Sequence, residues 1–276
     1  MRLALGQTNP IIGEVKSNLN KIKNVVKESS EKGANLIQFT ECAVTGYCYE
    51  SRKEVLHYVK EGLSEKIISE ISGICGSSMV MLGTLEVING TIRNSILLIS
   101  SNGLIAKYYK CHLPVLGADR FVTPGEGLCE IIETPFGKIG ILVCFELRFP
   151  EVARILALKG ADIICNPTNV PVGGEAAVDY LGRARALENR VYVSSCNRTG
   201  IERNTQFIGK SQVVDPSGNF ITATDDREVI LYADINLQLA QNKTIVIKAG
   251  EYELPLFKQR KTRMYSAITE AQYNGR

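Results

Sequence analysis

The sequence has no apolar run approaching the roughly 20 residues that a helical bilayer span needs. Its first residues, MRLALGQTNPIIGEV, carry one arginine and a short apolar piece that Gln7, Asn9, Pro10 and Glu14 interrupt, which makes a poor signal peptide. The chain is therefore read as cytoplasmic, with no membrane partner. None of the eight cysteines stands in C-x-x-C or other metal-ligand spacing, so neither zinc nor an iron–sulfur cluster is expected, nor any other cofactor. No charge of one sign dominates: 32 Lys and Arg stand against 29 Asp and Glu, a formal net charge of +3. With the signs interleaved, nucleic acid is not implied; the one dense basic stretch, Lys258 to Arg263, reads as a solvated face or a tail pairing with acids. Internal repeats and low-complexity segments are absent, which removes solenoids and disordered linkers.

What is present is an ordinary globular composition, 45% hydrophobic and 22% charged, in a chain of 276 residues. A chain of this length buries roughly three quarters of its unfolded surface, which suits one α/β domain over residues 1–276. Several cysteines lie in apolar words such as ADIICNP and YVSSCN, where a free thiol behaves as a small buried hydrophobe. Reduced, intracellular thiols are the simplest account.

Short β-rich runs alternate with amphipathic segments. Strands are expected at Arg2 to Thr8, Ala34 to Thr40, Met79 to Val87, Thr91 to Ser100, Leu104 to Tyr109, Gly127 to Thr134, Gly137 to Cys144, Ala161 to Cys165, Val191 to Asn197, Gly209 to Val214, Phe220 to Thr224 and Glu228 to Ile235. Helices are expected at Asn18 to Lys32, Leu63 to Cys75, Pro150 to Lys159 and Gly174 to Arg190. Asn89-Gly90 and Asn102-Gly103 read as hairpin turns, and Asp215-Pro216-Ser217-Gly218 as a tight turn. Strands that pair locally between helices suggest an α-β-β-α sandwich, two mixed sheets between helical layers. The segment 238–276 has little periodicity but mixes apolar residues with charge, so it is expected to pack, at a subunit interface.

Three polar residues end strand-like runs: Glu41 after ANLIQFT, Lys110 after LIAKYY and Cys144 after GKIGILV. In α/β layers, ligands gather at the carboxyl ends of strands. A thiol, a carboxylate and an amine meeting there would supply a nucleophile, a general base and an electrostatic clamp. Each alone has a plainer reading, as a core cysteine, a strand-end cap and a solvated lysine head.

The words QFTECAVTGY, YYKCHLP and GILVCFELRFPE, in that order, followed by ADIICNPTNVP, RARALENRVYVSSCNRTG and FIGKSQVVDPSGNFI, resemble the carbon–nitrogen hydrolase (nitrilase) superfamily, in its amidase and carbamoylase-like branch. The resemblance runs from Leu3 to about Ile235. It implies an α-β-β-α sandwich, a homodimer or higher homo-oligomer, and a Glu-Lys-Cys triad that maps onto Glu41, Lys110 and Cys144. On that reading Cys144 sits at a sharp strand-to-helix turn with its thiolate exposed and favoured by Lys110, and Glu41 takes the thiol proton and later activates water. The oxyanion would be held by Lys110 and the Phe145 N–H, one such donor being worth about 3 kcal/mol of barrier.

The pattern departs from the family at Thr40, in place of a proline, at Ala118 and Asp119, where many members carry a second glutamate, and at Phe145, in place of tyrosine or tryptophan. Tyr47, Asp119, Phe145 and Asn169 are the candidate substrate-binding residues. Arg148 and Glu151 are expected to fix the elbow around Cys144, and the other seven cysteines to pack. His112 precedes Cys144, which argues against a papain-like dyad; a hydrogen bond steadying the loop after Lys110 is its expected role. The expected function is cleavage of a non-peptide C–N bond in a small linear amide or N-carbamoyl compound through a cysteine thioester, releasing ammonia or an amine. The alternatives are nitrile hydrolysis on the same triad and a catalytically silent binding protein of the same fold.

Overall fold

The computed structural model describes residues 1–270. It opens with a parallel β-α-β unit. Strand β1 (Arg2–Gln7) and strand β2 (Leu36–Phe39) flank helix α1 (Val15–Glu31), whose Leu19, Ile22 and Val26 are buried. Asn18, expected to begin this helix, lies inside it, where its side chain hydrogen-bonds Ile11 and Val44 and ties the entering loop to the turn that follows β2. Two further helices, α2 (Arg52–Tyr58) and α3 (Leu63–Ser72), precede β3 (Met79–Ile88). Then β4 (Thr91–Ser100) and β5 (Gly103–Tyr109) meander antiparallel. The turn between β3 and β4 has positive φ at both Asn89 and Gly90, the conformation for which this dipeptide is favoured.

A second sheet gathers β6 (Ile132–Thr134), β7 (Gly137–Ile141), β8 (Ile163–Thr168) and β9 (Tyr192–Asn197). The hairpin of β10 (Thr199–Glu202) and β11 (Thr205–Ile208) stands apart. Strands β12 (Gln212–Val214) and β13 (Phe220–Ala223) then complete the second sheet, before β14 (Val229–Asp234) returns to pair with β1. The sheets are six-stranded, ordered β14-β1-β2-β3-β4-β5 and β13-β12-β9-β8-β7-β6. Each has a parallel centre, β1-β2-β3 or β7-β8-β9, and antiparallel flanks.

Side-chain alternation explains the layers. Leu3, Leu5, Leu36, Met81, Ile96 and Leu98 join one core with Ile141, Ile163, Cys165 and Val193 of the second sheet. Their neighbours Ala4, Ile37, Val80, Leu82, Leu97 and Ile99 face outward into a second core with α1 and α3. Both faces of the strands are thus covered, which is why they read as near-continuous hydrophobic runs. Helices α4 (Pro150–Leu158) and α5 (Gly182–Asn189) cover the other sheet, completing the α-β-β-α sandwich. Each large aliphatic side chain so enclosed contributes about 1.5–3 kcal/mol.

Three expected elements differ in the structure. The run expected to be a strand to Cys144 ends at Ile141, and Cys144–Arg148 form a 3₁₀ turn instead. The run Gly127 to Thr134 is strand only at Ile132–Thr134. The helix expected over Gly174 to Arg190 is present as a continuous helical run over 175–189, but it widens to a π-helical turn at Ala177–Leu181 before α5. In the C-terminal segment, β15 (Thr244–Lys248) and β16 (Tyr252–Pro255) form a hairpin that periodicity did not reveal. The last part of that segment, 271–276, lies outside the described residues.

Candidate active site

The site lies where the two sheets present their loops to each other. Glu41 follows β2 in a turn whose next residue, Cys42, has φ 51. That turn rides directly over β3 at Gly83, where a Cβ would come within 2.5 Å of the Cys42 nitrogen and 2.7 Å of the Glu41 Cα. Glycine is what lets the two backbones approach. Thr40, in the place of the family's proline, donates its hydroxyl to the Glu41 carbonyl at 3.0 Å.

Lys110 follows β5 and is fully buried with Glu41. Its ammonium lies 2.7 Å from Glu41 Oε1 and 2.6 Å from Asp119 Oδ2. Asp119 comes from the 3₁₀ turn Gly117–Phe121, so two carboxylates share one ammonium. Asn94 of β4 donates Nδ2 to both, at 2.7 Å to Glu41 Oε1 and 2.9 Å to Asp119 Oδ1. Tyr47 donates its hydroxyl to Asp119 at 2.8 Å. The structure sets Tyr47 behind the site as a fully buried buttress of Asp119, and neither residue is among those that line the cavity.

Cys144 comes from the other sheet. It opens its 3₁₀ turn at φ 51, a left-handed conformation uncommon for a residue with a side chain. Its N–H donates to Asn166 Oδ1 at 2.7 Å, and Asn166 in turn donates to Ser195 Oγ at 3.1 Å. The Phe145 N–H has no backbone or side-chain acceptor among the described residues. The Phe145 ring packs edge-on against Phe149, at 5.2 Å and 88°, and lines the cavity. Asn169 lines it too: its Nδ2 donates to the Glu41 carbonyl at 2.9 Å, while its buried Oδ1 has no partner.

The elbow is held by residues other than those expected. Glu146, fully buried, accepts the N–H groups of Val143 at 2.8 Å, Cys111 at 2.9 Å and His112 at 3.2 Å, and the Tyr108 hydroxyl at 2.8 Å. It therefore clamps the loop after Lys110 to the turn that carries Cys144. His112 stacks on Phe149 at 4.4 Å and places Nδ1 3.2 Å from Glu146, which steadies that loop. Arg185 of α5 donates to the Leu147 and Arg148 carbonyls. Glu151 is exposed, and Arg148 lines the cavity, so neither braces the turn.

Electrostatics revise one expectation. Burial pushes the Cys144 thiol up to about 12; the Glu41 carboxylate adds to the rise, and Lys110 acts against it. The resting nucleophile is therefore a thiol and not a thiolate: burial disfavours its charge first, Glu41 adds to that, and Lys110 does not offset the two. Burial also raises Glu41, with Lys110 opposing and Asp119 reinforcing the shift. Lys110 sits well above the usual lysine value: burial disfavours its charge, but Glu41, Cys144 and Asp119 together outweigh that cost. One Glu41 oxygen, Oε2, is buried without a hydrogen-bond partner.

Cys144 opens onto a cavity of 370 Å³ with a largely apolar wall that includes Leu116, Leu147, Val170, Val178 and Leu181. Asn166, Thr168, Asn169 and Ser195 add polar groups to its lining, and its charged lining residues are Arg148 and Lys210. Lys210 is paired with Asp179 at 3.0 Å.

A family model described as carbon-nitrogen hydrolase matches residues 2–244. The chain belongs to the carbon-nitrogen hydrolase family. It is 36% identical over 252 residues to a nitrilase of Pyrococcus abyssi, covering 89% of this chain and 93% of that protein. It is 31% identical over 278 residues to omega-amidase NIT2-B of Xenopus laevis, covering 96% of each. Among solved structures, a carbon-nitrogen hydrolase from Helicobacter pylori G27 superposes with a TM-score of 0.86 at 23% identity, covering 98% of both chains. A mutant amidase of Nesterenkonia sp. AN1, with the acetamide moiety of fluoroacetamide on its active-site cysteine, superposes with a TM-score of 0.83 at 22% identity, covering 96% of this chain and 95% of that one. These likenesses bear out the sandwich, and the family carries the enzyme class: a carbon–nitrogen hydrolase of the amidase and nitrilase type.

Proposed function

We propose that this hydrolase cleaves a small amide through a thioester on Cys144, with Glu41 as general base and Lys110 as the cation that steadies developing charge. The observation that carries the reading is the fully buried Glu41–Lys110–Asp119 network beside the one cysteine that lines the cavity. Because the resting thiol is neutral, proton transfer to Glu41 accompanies attack. Sγ bonds to the carbonyl carbon, and the oxyanion is met by the Lys110 ammonium and the free Phe145 N–H. Glu41 returns the proton to the departing nitrogen as the C–N bond breaks, releasing ammonia or an amine. It then takes a proton from water, whose oxygen attacks the thioester; the acid leaves and the thiol is restored. Asp119 completes the charge pairing of Lys110 in the place of the second glutamate, and Phe145 and Asn169 contact the reacting group.

The cavity volume suits a linear substrate of a few carbons, and Arg148 in its lining favours one that carries an acid group. A relative named omega-amidase supports an amide as the first reading. An N-carbamoyl compound would react by the same steps, and a relative named nitrilase keeps nitriles as the second reading. The eight cysteines, all free, suit a reducing cytoplasm. The C-terminal segment is exposed at Val246, Ile247, Tyr252, Met264 and Ile268, which supports the proposal that a single domain packs this segment against a second subunit.

The deciding experiment measures ammonia release from monoamides of dicarboxylic acids, neutral amides, carbamoyl compounds and nitriles, with intact-mass detection of an acyl group on Cys144. Turnover of acidic amides with a trapped acyl-enzyme is expected. No turnover on any class, with Cys144 inert to iodoacetamide, would overturn the proposal in favour of a silent binding protein.

A further inference from the structure

We propose that Asn94 is a positioning residue that decides which oxygen of Glu41 acts as the base. The inference rests on the Cys144–Glu41–Lys110 reading above and concerns how that base is aimed.

Asn94 lies on β4, one strand from β5, and its main-chain carbonyl accepts the Lys110 N–H at 2.9 Å. The same residue thus sets where the Lys110 side chain begins. Its side-chain amide has two N–H groups, and both are spent on carboxylates: Glu41 Oε1 at 2.7 Å and Asp119 Oδ1 at 2.9 Å. The Cys42 thiol donates to the amide oxygen at 3.8 Å, which fixes the orientation. A flipped amide would turn its oxygen onto two anions.

Glu41 Oε1 therefore holds two donors, Asn94 and Lys110, and Oε2, equally buried, holds none. The torsion that exchanges carboxylate oxygens is soft, so Lys110 alone would not tell them apart. Two donors converging on one oxygen, one from β4 and one from the segment just after β5, do. Oε2 is left as the oxygen with free lone pairs, first for the thiol proton and then for water.

The amide also works on charge. The groups that bear on Glu41 are Lys110 after β5, Asp119 in its 3₁₀ turn, Cys144 on its elbow, and Cys42 and Tyr47 in the segment after Glu41 itself. Of these only Lys110 is cationic, and two carboxylates divide it. Asn94 adds neutral donors, and the one on Glu41 favours that carboxylate's ionised form. Removing them disfavours charge on Glu41, so its protonation persists to higher pH and the acid limb of the reaction moves upward.

The test follows alkylation of Cys144 by iodoacetamide across pH, read by peptide mass, in the wild type, Asn94→Ala and Asn94→Ser, each with a thermal melt. Serine keeps one donor but cannot serve two carboxylates, so it carries the test should the alanine variant not fold. The acid limb is expected to rise by about one to two pH units, slowing alkylation about tenfold or more on the acid side, with rates converging at alkaline pH. On any substrate identified, kcat should fall while KM stays within about twofold. Folded variants with the wild-type pH profile would overturn the role of Asn94. A wild-type Cys144 that iodoacetamide does not touch would instead overturn the underlying reading.

Discussion

The two sheets contribute unlike halves to the site. The first supplies Glu41, Asn94, Lys110 and Asp119, all buried, with Asn94 and Lys110 each donating to both carboxylates. The second supplies Cys144, Asn166, Thr168 and Ser195, which line the cavity with a mostly apolar wall. One half is a closed set of charges whose members depend on each other for pairing; the other is a surface that substrate can reach. A change in the first half should therefore cost stability and chemistry together, and a change in the second should cost one at a time.

Lys110→Met tests this most severely, since it leaves Glu41 and Asp119 buried without their shared cation. Urea denaturation should report a loss of about 3–5 kcal/mol, with turnover abolished. A stable variant would mean that water or a conformational change relieves the two anions. Glu146→Gln comes next, because an amide turns one acceptor into a donor facing N–H groups. About 2–3 kcal/mol of stability should go, with alkylation of Cys144 slowed as the elbow loosens from the Lys110 loop.

Cys144→Ala should separate the halves cleanly, with turnover lost and the melting transition within about 1 kcal/mol of wild type. Glu41→Gln sharpens the electrostatics: the carboxylate that raises the thiol is gone while Lys110, which lowers it, remains. Cys144 should then ionise below about 12 even as hydrolysis stops, read as thiolate absorbance against the Cys144→Ala background. An unchanged or higher ionisation would show that burial alone sets the thiol. The smallest effect belongs to Arg148→Ala, which should raise KM about tenfold for acidic amides and leave neutral amides unaffected.

Much of the scaffold was legible in the amino-acid sequence. Hydrophobic periodicity located β4 at Thr91–Ser100 and the buried faces of α1 and α3, because these depend on side-chain spacing within one element. Elements that depend on partners were not. The segment after β7 looks as apolar as the strand itself, yet it leaves the sheet after Leu142, whose N–H still reaches the Cys165 carbonyl of β8, and the next N–H, of Val143, turns to the Glu146 carboxylate. The turn Ala177–Leu181 widens to π geometry beside the cavity, although its pattern reads as plain helix. The β10–β11 hairpin, with Arg203 at positive φ, carries no Asn-Gly or Asp-Gly signal.

The candidate site divides in the same way. Glu41, Lys110 and Cys144 stand out because each is a reactive residue in a recognisable word at the end of an apolar run. Asn94 in RNSILLIS and Asn166 in ICNPT carry no such mark, since a polar residue within a strand looks the same whether it meets water or a buried charge. Asn94 meets its two carboxylates 53 and 25 residues away in the chain, and Glu146 meets the loop after Lys110 across 35. The amino-acid sequence by itself determined which reactive groups are available and which layers carry them, through local periodicity and residue type. Only the tertiary structure decided that the thiol rests protonated, that Tyr47 stands behind Asp119, and that one Glu41 oxygen is left unpaired. Burial, charge pairing and hydrogen-bond direction are properties of groups brought together by folding, and no spacing along the chain encodes them.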